Sequence, residues 1–140
     1  MDKMKTAIVT TLINASSVVE FFVQYHLHIG FDHIFLFFDD PADPSSGLVE
    51  KDPNVTLILN DAALKEKWEN TRLFKANRGY CDYIGNETMA RQLLNTEIAN
   101  DMAVQMGISW LLHIDIDELF YFPDHDVKTH FSELDRKSVV

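Results

Sequence analysis

The sequence is short of cysteine, basic residues and long hydrophobic runs, and each shortage excludes a class of protein. Its 140 residues include one cysteine, Cys81, which excludes an internal disulfide framework and a zinc site built from several cysteines. Twelve Lys and Arg stand against 22 Asp and Glu, which gives a net charge of −10. Proteins that bind nucleic acid through its phosphates show the opposite balance, so we expect no nucleic-acid partner.

The hydrophobic runs are too short for a transmembrane segment. Residues 34–38 form one of the longest, whereas a bilayer crossing needs about 20 apolar residues. The first six residues lack the apolar core of a signal peptide. We therefore expect a soluble chain, cytoplasmic by default. Because 46% of the residues are hydrophobic and 24% are charged, we also expect one globular domain over residues 1–140.

Four apolar segments have the spacing of strands in an α/β protein. They cover residues 6–13, 33–38, 55–59 and 109–114. Three of them are near-continuous apolar runs, which are typical of strands buried on both faces of a parallel sheet. The order β-α-β-loop-β-α-β predicts a Rossmann-like α/β fold, with a mostly parallel open sheet and flanking helices.

Two long helices are predicted between these strands. The first begins at a capping box over residues 17–20 and ends near Gly30. The second covers about residues 87–106 and ends at Gly107. Its predicted buried stripe consists of Ala90, Leu94, Ile98, Met102 and Met106. Shorter helices are predicted near residues 62–72 and 128–134, and residues 40–47 form a loop by composition.

Two aspartates, Asp115 and Asp117, follow the fourth strand. Side chains alternate along an extended chain, which places both aspartates on one side and Ile116 on the other. Neighbouring carboxylates repel each other, and Mg²⁺ or Mn²⁺ relieves that repulsion. We expect a metal site here, because a cation would let a chain of net charge −10 hold a diphosphate. The alternative is that both aspartates make turn and cap hydrogen bonds.

Polar residues at the second strand and on the second long helix are further candidates. Asp39 and Asp40 end that strand, where a carboxylate can bind a ribose or base, or simply start a turn. Glu87, Arg91 and Asn95 share one helix face. Arg91 could bind a phosphate or base, and the alternative is a solvated ion pair with Glu87.

The histidines and the cysteine are weaker candidates. The six histidines do not have the spacing of a metal-ligand set. Cys81 has no activating base beside it in the sequence, so we expect a buried thiol.

Three stretches together resemble a known family. Residues 20–34 contain the letters GFDHI, residues 90–95 read A-R-Q-L-L-N, and residues 110–120 read W-L-L-H-I-D-I-D-E-L-F. This combination resembles the nucleotide-sugar glycosyltransferases of the GT-A fold, in the broad family-2-like group and nearest to the branch related to glycosyltransferase family 92. Gln92 stands where that group has Asn, and Leu119 stands where Phe is common.

The resemblance implies a role for each matching residue and names no catalytic base. Asp117 would coordinate a metal that bridges the diphosphate of the donor, and Asp115 would share that metal or contact the ribose. Asp39 would lie near the base or ribose, with Arg91 beside the nucleotide. The end of the first strand would line the nucleotide pocket with Thr10, Thr11 and Asn14.

The resemblance implies a glycosyltransferase that moves a sugar from a UDP-sugar to a hydroxyl of a glycan or other acceptor, assisted by Mn²⁺ or Mg²⁺. Because only residues 118–140 follow the D-x-D motif, we expect the donor-binding half of a GT-A fold without its acceptor-binding half. Two alternatives stay open. One is a non-catalytic nucleotide-binding fragment or interaction module, whose exposed sheet edge would favour a homodimer. The other is a Mg²⁺-dependent haloacid dehalogenase-like phosphatase, which residues 114–119 resemble locally.

Overall fold

A computed structural model describes residues 4–76, 87–123 and 126–138 of the chain. Its strands are β1 (Thr6–Leu12), β2 (His33–Phe38), β3 (Val55–Leu59) and β4 (Trp110–His113). Its helices are α1 (Val19–His28), α2 (Ala62–Glu69), α3 (Arg72–Ala76), α4 (Thr88–Gln105) and α5 (Val127–Ser138), with a 3-10 helix at Pro44–Leu48. Cys81 lies outside the described residues.

The strands form one parallel sheet in the order β3-β2-β1-β4. β1 pairs with β2 along its length, so that Leu12 lies opposite Phe38, and it pairs with β4 up to Val9, which lies opposite His113. All six residues of β2 are buried, and so are six of the seven in β1. Their nearly continuous apolar sequence follows from this burial on both faces. The expected Rossmann-like α/β fold is confirmed.

Helices cover both faces of the sheet. On one face, Ile8 of β1 packs in a core cluster with Phe22 of α1 and with residues of α5. On the other face, Val9 packs in a second cluster with Trp68 of α2 and Leu94 of α4. Neighbouring residues of β1 thus belong to opposite cores, as the alternation of side chains along a strand requires.

The outermost strands of the sheet are β3 and β4, and their residues are mostly half-buried. The homodimer expected at an exposed edge stays a prediction. Among the described residues, no helix combines the length and the apolar composition that a membrane crossing requires.

The beginning of α1 differs from its prediction. The cap residue is Val18 and no side chain caps the helix, so the capping box at Ser17 is wrong. The carbonyl of Ala15 accepts the N–H groups of Val18 and Val19 instead, so the backbone itself closes the first turn. The predicted stop is confirmed, because Gly30 has a φ of 119°, a conformation that favours glycine.

The buried stripe of α4 is partly as predicted. The buried side chains are Ala90, Leu94, Asn95, Ile98, Ala99 and Ala103. Met102 is half-buried and Met106 is exposed. A stripe spaced strictly every four residues rotates about 40° around the helix at each step, because an α-helix has 3.6 residues per turn. Over the length of α4 that rotation carries Met106 away from the sheet, and the small side chains Ala99 and Ala103 take the contact.

The shorter helices also differ from their predicted bounds. The helix expected near residues 62–72 is two helices, since α2 ends at Glu69 and α3 begins at Arg72. The carboxylate of Glu97 accepts the N–H groups of Arg72 and Leu73 and so caps α3 from α4. The helix expected near residues 128–134 is longer, as α5.

Phe120 ties the chain after β4 to α1. Its N–H donates to Nε2 of His26 at 3.0 Å, and its carbonyl accepts from the Tyr25 hydroxyl at 2.8 Å. His26 is fully buried, and its Nδ1 lies 2.8 Å from the carbonyl of Phe22. The bonds of the His26 ring to the Phe120 N–H and to the Phe22 carbonyl need a neutral imidazole protonated at Nδ1. Burial lowers the pKa of His26, which outweighs the opposite effect of its bond to Phe22.

We expect the free energy of unfolding to fall as the pH is lowered through the ordinary histidine pKa of 6.5. Near that pH, His26 binds a proton more readily in the unfolded chain than in the folded chain, where burial lowers its pKa. The unfolded state then binds more protons, so acidification favours it. His26→Gln should flatten this pH dependence in urea unfolding, because a glutamine oxygen can accept the Phe120 N–H and does not titrate.

His33→Gln is the matched control. Burial also lowers the pKa of His33, against the opposite effect of Asp52, and its Nε2 lies 2.6 Å from the Thr56 hydroxyl. His33→Gln should remove only the part of the pH dependence of unfolding that comes from His33. A pH slope that His26→Gln leaves unchanged would contradict the assignment.

Candidate functional site

The carboxyl ends of β1, β2 and β4 meet at one edge, because the strands are parallel. Ligands in open α/β sheets bind beyond this edge. The predicted ligand residues lie near this edge, either late in β1 or just after β1, β2 and β4: Thr10, Thr11, Asn14, Asp39, Asp115 and Asp117. Arg91 reaches the same edge from α4.

Arg91 and Asp39 form a two-pronged ion pair. Nε of Arg91 lies 2.7 Å from Oδ1 of Asp39, and Nη2 lies 2.8 Å from Oδ2. Each side chain is only 13% exposed. Nη2 also donates to the Thr88 hydroxyl at 3.2 Å. The guanidinium thus binds the strand-end carboxylate, and the solvated pair with Glu87 that the helical spacing allows is not the arrangement found.

The backbone of Asp39 is fixed as well. Its N–H donates to the carbonyl of Leu12 at 2.9 Å, and its carbonyl accepts from Nδ2 of Asn60 at 3.0 Å. Asn60 follows β3, and its Oδ1 is buried without a hydrogen-bond partner among the described residues. The carboxylate of Asp39 is therefore positioned through β1, β3 and α4 together.

A buried carboxylate that the sequence reasoning missed, Asp43, holds the loop after β1. Its Oδ2 accepts the Asn14 N–H at 2.8 Å, and its Oδ1 accepts the N–H and the hydroxyl of Ser45 at 2.9 and 2.7 Å. Asn14 has a φ of 52°, an uncommon conformation for a residue other than glycine. Burial raises the pKa of Asp43, but the hydrogen bonds from Ser45 and Asn14 outweigh it and lower the pKa overall.

The sequence does contain a signal for this role. Asp43 is the N-cap of the 3-10 helix, and the residue after it is Pro44. An aspartate followed by proline and serine is a typical helix start. The bond to Asn14 has no local signal, since the two residues are 29 positions apart.

Thr10 and Thr11 belong to opposite faces of the sheet and differ in exposure. Thr10 is fully buried, and its hydroxyl has no hydrogen-bond partner in the described parts of the chain. Thr11 is half-buried, and its hydroxyl oxygen accepts from Nδ2 of Asn95 at 3.0 Å. Thr11 is thus the one of the pair that borders the open edge.

Asp115 and Asp117 lie in a turn beyond β4. The strand ends at His113, one residue before its predicted end, so the aspartates are not on the strand itself. Ile114 and Ile116 pack against the core on the α1 side, whereas both aspartates are exposed. The predicted alternation is thus present although the strand is shorter.

Two hydrogen bonds of this turn join backbone groups of Asp115 and Glu118 and the Glu118 carboxylate. The N–H of Asp115 donates to Oε1 of Glu118 at 2.8 Å, and the N–H of Glu118 donates to the carbonyl of Asp115 at 3.0 Å. The turn therefore uses backbone groups and the Glu118 carboxylate. The exposed carboxylates of Asp115 and Asp117 provide hard oxygen ligands of the kind that Mg²⁺ and Mn²⁺ prefer.

The metal site stays a prediction. Within the three described ranges, no group of three or more His, Cys, Asp or Glu side chains is arranged to hold an ion. A cation at this turn would complete its coordination with water and phosphate oxygens, as Mg²⁺ commonly does.

Two surface cavities lie away from these residues. One, of about 360 Å³, is lined by Tyr25, Phe120 and Tyr121 among others. The other, of about 430 Å³, lies between α2 and α4 and includes Lys67 and Asp101. None of the predicted ligand residues lines either cavity. The strand-end position of those residues is what makes this edge the candidate site.

Two proteins of Arabidopsis thaliana, both described as glycosyltransferase-like, are similar to this chain. One is 35% and the other 33% identical in an alignment of 107 residues that covers 71% of this chain. The matches cover 23% and 20% of those proteins, so the chain spans about a fifth of the length of the curated relatives it matches. No protein-family model and no solved structure matches the chain.

Asp39→Asn should lower the free energy of unfolding by about 1.5–3 kcal/mol, the range for hydrogen bonds to charged groups. Arg91 would then keep its charge in a mostly buried place beside a neutral partner. Arg91→Lys should also destabilise, because one ammonium cannot bind both carboxylate oxygens in the same geometry. Urea unfolding measures both effects.

Asp101→Asn is the control for this ion pair. It removes the exposed ion pair in which Nη2 of Arg72 lies 3.6 Å from Oδ1 of Asp101. Exposed pairs contribute less than about 1 kcal/mol, so the change should be small. Equal losses in Asp39→Asn and Asp101→Asn would show that burial adds nothing to the Arg91 pair.

Asp43→Ala should lower the free energy of unfolding by about 1–3 kcal/mol, since it leaves buried donors without an acceptor. Asp40→Ala is the matched change in the same loop, where the side chain of the half-buried Asp40 accepts the Ala42 N–H and no other hydrogen bond within the described residues. In the same urea titration, Asp40→Ala should lower the free energy of unfolding by less than Asp43→Ala does. The reverse order of the two variants would contradict the role given to Asp43.

Proposed function

We propose that this chain is the donor-binding part of a metal-dependent glycosyltransferase of the GT-A type that uses a UDP-sugar. The observation that carries the proposal is the placement of two different groups at one sheet edge. Asp39, paired with Arg91 of α4, follows β2, and the exposed Asp115 and Asp117 follow β4, so the two groups lie on either side of β1. The similarity to two glycosyltransferase-like proteins supports the same class of activity.

The nucleoside would bind on the β2 side of the edge. Both oxygens of Asp39 already accept from Arg91, yet a carboxylate oxygen can accept more than one hydrogen bond. Asp39 could therefore also accept from a base N–H or a ribose hydroxyl, with Arg91 beside the nucleotide. Thr11 and Asn14 would complete the pocket at the end of β1, and the fully buried Thr10 would lie behind them.

The diphosphate would bind on the β4 side. Asp117 would coordinate Mn²⁺ or Mg²⁺ there, and Asp115 would share the ion or contact the ribose. When bound, the cation supplies Lewis-acid stabilisation of the charge that develops on the leaving nucleoside diphosphate. The exposed carboxylates of this chain would hold the diphosphate through that ion, since a chain of net charge −10 otherwise repels phosphate.

The sugar would pass to a hydroxyl of a glycan or another acceptor. The chain spans about a fifth of the relatives it matches. We therefore assign donor binding to these 140 residues and leave the acceptor-binding half outside them.

Calorimetric titration of UDP tests this function. We expect binding in Mn²⁺ that EDTA abolishes, because the diphosphate binds through the ion. Asp117→Asn should weaken binding at least about tenfold, which corresponds to about 1.4 kcal/mol. Asp101→Asn, which removes the same charge from an exposed position on α4, should bind as the unchanged chain does.

Other outcomes would favour the alternatives. Failure to bind UDP by a chain that circular dichroism shows to be folded would overturn the donor site and favour an interaction module. Mg²⁺-dependent hydrolysis of an aryl phosphate that is lost in Asp115→Asn would favour the phosphatase.

A further inference from the structure

Three side chains behind the candidate site form a line of hydrogen bonds from α2 to β1. Nε1 of Trp68 donates to Oδ1 of Asn95 at 2.8 Å, and Nδ2 of Asn95 donates to the hydroxyl oxygen of Thr11 at 3.0 Å. Trp68 and Asn95 are each only 2% exposed. Thr11 is half-buried at the edge of the sheet.

The indole of Trp68 fixes the direction of both bonds. An indole N–H can only donate, so the amide oxygen of Asn95 must face Trp68 and its NH₂ group must face Thr11. The hydroxyl oxygen of Thr11 is thereby an acceptor toward α4. Its own proton must point elsewhere, and no protein acceptor for it is found in the described ranges.

Thr11 lies on the same face of the sheet as Asp39. Val9 and Phe37 belong to the core on the α4 side, and Thr11 lies opposite Phe37 in the parallel register. Side chains of one face recur every second residue, so Thr11 continues the row of Val9 and Asp39 continues that of Phe37. Arg91 and Asn95, one helical turn apart on α4, bind these two neighbouring strand ends.

We propose that Asn95 and Trp68 are positioning residues that hold the Thr11 hydroxyl as a hydrogen-bond donor to the nucleoside of the bound nucleotide. This inference rests on the proposed function. The group that Thr11 meets is an oxygen that accepts, such as a base carbonyl or a ribose oxygen. Asp39 beside it accepts hydrogen bonds, so the two residues present a donor and an acceptor to one ligand.

The hydrogen bonds themselves can be tested without a ligand. The chain has two tryptophans, Trp68 and Trp110, so its NMR spectrum contains two indole N–H signals. We expect the signal that Trp68→Phe removes to exchange slowly with solvent, and Asn95→Leu to shift it and speed its exchange. Trp110, which donates to Asp135, should not change. A Trp68 signal that Asn95→Leu leaves unchanged would overturn the arrangement.

The ligand role is tested by UDP affinity in Mn²⁺. Thr11→Val, which keeps the shape but removes the hydroxyl, should weaken binding about threefold to tenfold, the value of one hydrogen bond. Thr11→Ser should restore most of it. Thr96→Val is the matched control on α4, since the Thr96 hydroxyl donates to the carbonyl of Gln92 within its own helix. This variant should bind UDP as the unchanged chain does.

A double-mutant cycle separates positioning from simple stabilisation. Asn95→Asp replaces the NH₂ group by an oxygen, which would draw the Thr11 proton back toward α4. It should weaken UDP binding as much as Thr11→Val and add nothing in the Thr11→Val background. Trp68→Phe, which lets the amide turn, serves in the same cycle if Asn95→Asp does not fold, with a smaller loss expected.

The outcomes distinguish this inference from the proposed function. If the unchanged chain binds UDP and Thr11→Val binds it equally well, the role of Thr11 is overturned and the donor site stands. Losses that add in full in the double variants would overturn positioning by Asn95. If the unchanged chain does not bind UDP, the proposed function and the ligand role of Thr11 both fail, whatever the indole signals show.

Discussion

The parallel pairing of β1 with β2 on one side and β4 on the other is the constraint on which the rest of the structure depends. Parallel strands cannot be joined by tight turns, so a long connection precedes each next strand: α1 lies between β1 and β2, and a loop with a 3-10 helix lies between β2 and β3. The helices that pack on the sheet bury both faces of β1 and β2, which explains why most residues of these strands are apolar. The same pairing brings the strands' carboxyl ends, and the polar residues that follow them, to one edge.

The charges at this edge are divided between its two sides. Asp39 is neutralised by Arg91, and Asp43 is satisfied by three hydrogen bonds in its loop. Asp115 and Asp117 are exposed, and the turn that carries them is held by Glu118. The proposed cation would therefore bind on the β4 side, whereas the groups on the β2 side already form hydrogen bonds with one another. This division agrees with a ligand that has a polar base at one end and a diphosphate at the other.

Whether a feature of the fold or the site could be predicted depends on how far apart its interacting residues lie in the sequence. β2 and β3 were predicted to the residue, because an apolar run between turn residues defines a buried strand locally. The same parallel pattern placed the candidate residues at strand ends. The partner of Arg91 could not be predicted, since Asp39 lies 52 positions away and helical spacing offered Glu87. The capping box at Ser17 was wrong because the backbone of Ala15 closes the first turn of α1.

Asn95 shows why a residue's type and spacing leave its role open. Spacing placed it on the face of Arg91, but burial separates the two roles, since Arg91 reaches the edge while Asn95 is enclosed beside Leu94. A buried amide costs free energy that a leucine would not, unless both of its ends are hydrogen-bonded. Trp68 and Thr11 form hydrogen bonds with both ends, which offset the free energy of burying the amide. They do not make asparagine more stabilising than leucine at this position. What an amide provides here and a leucine cannot is a fixed direction for the hydroxyl of Thr11.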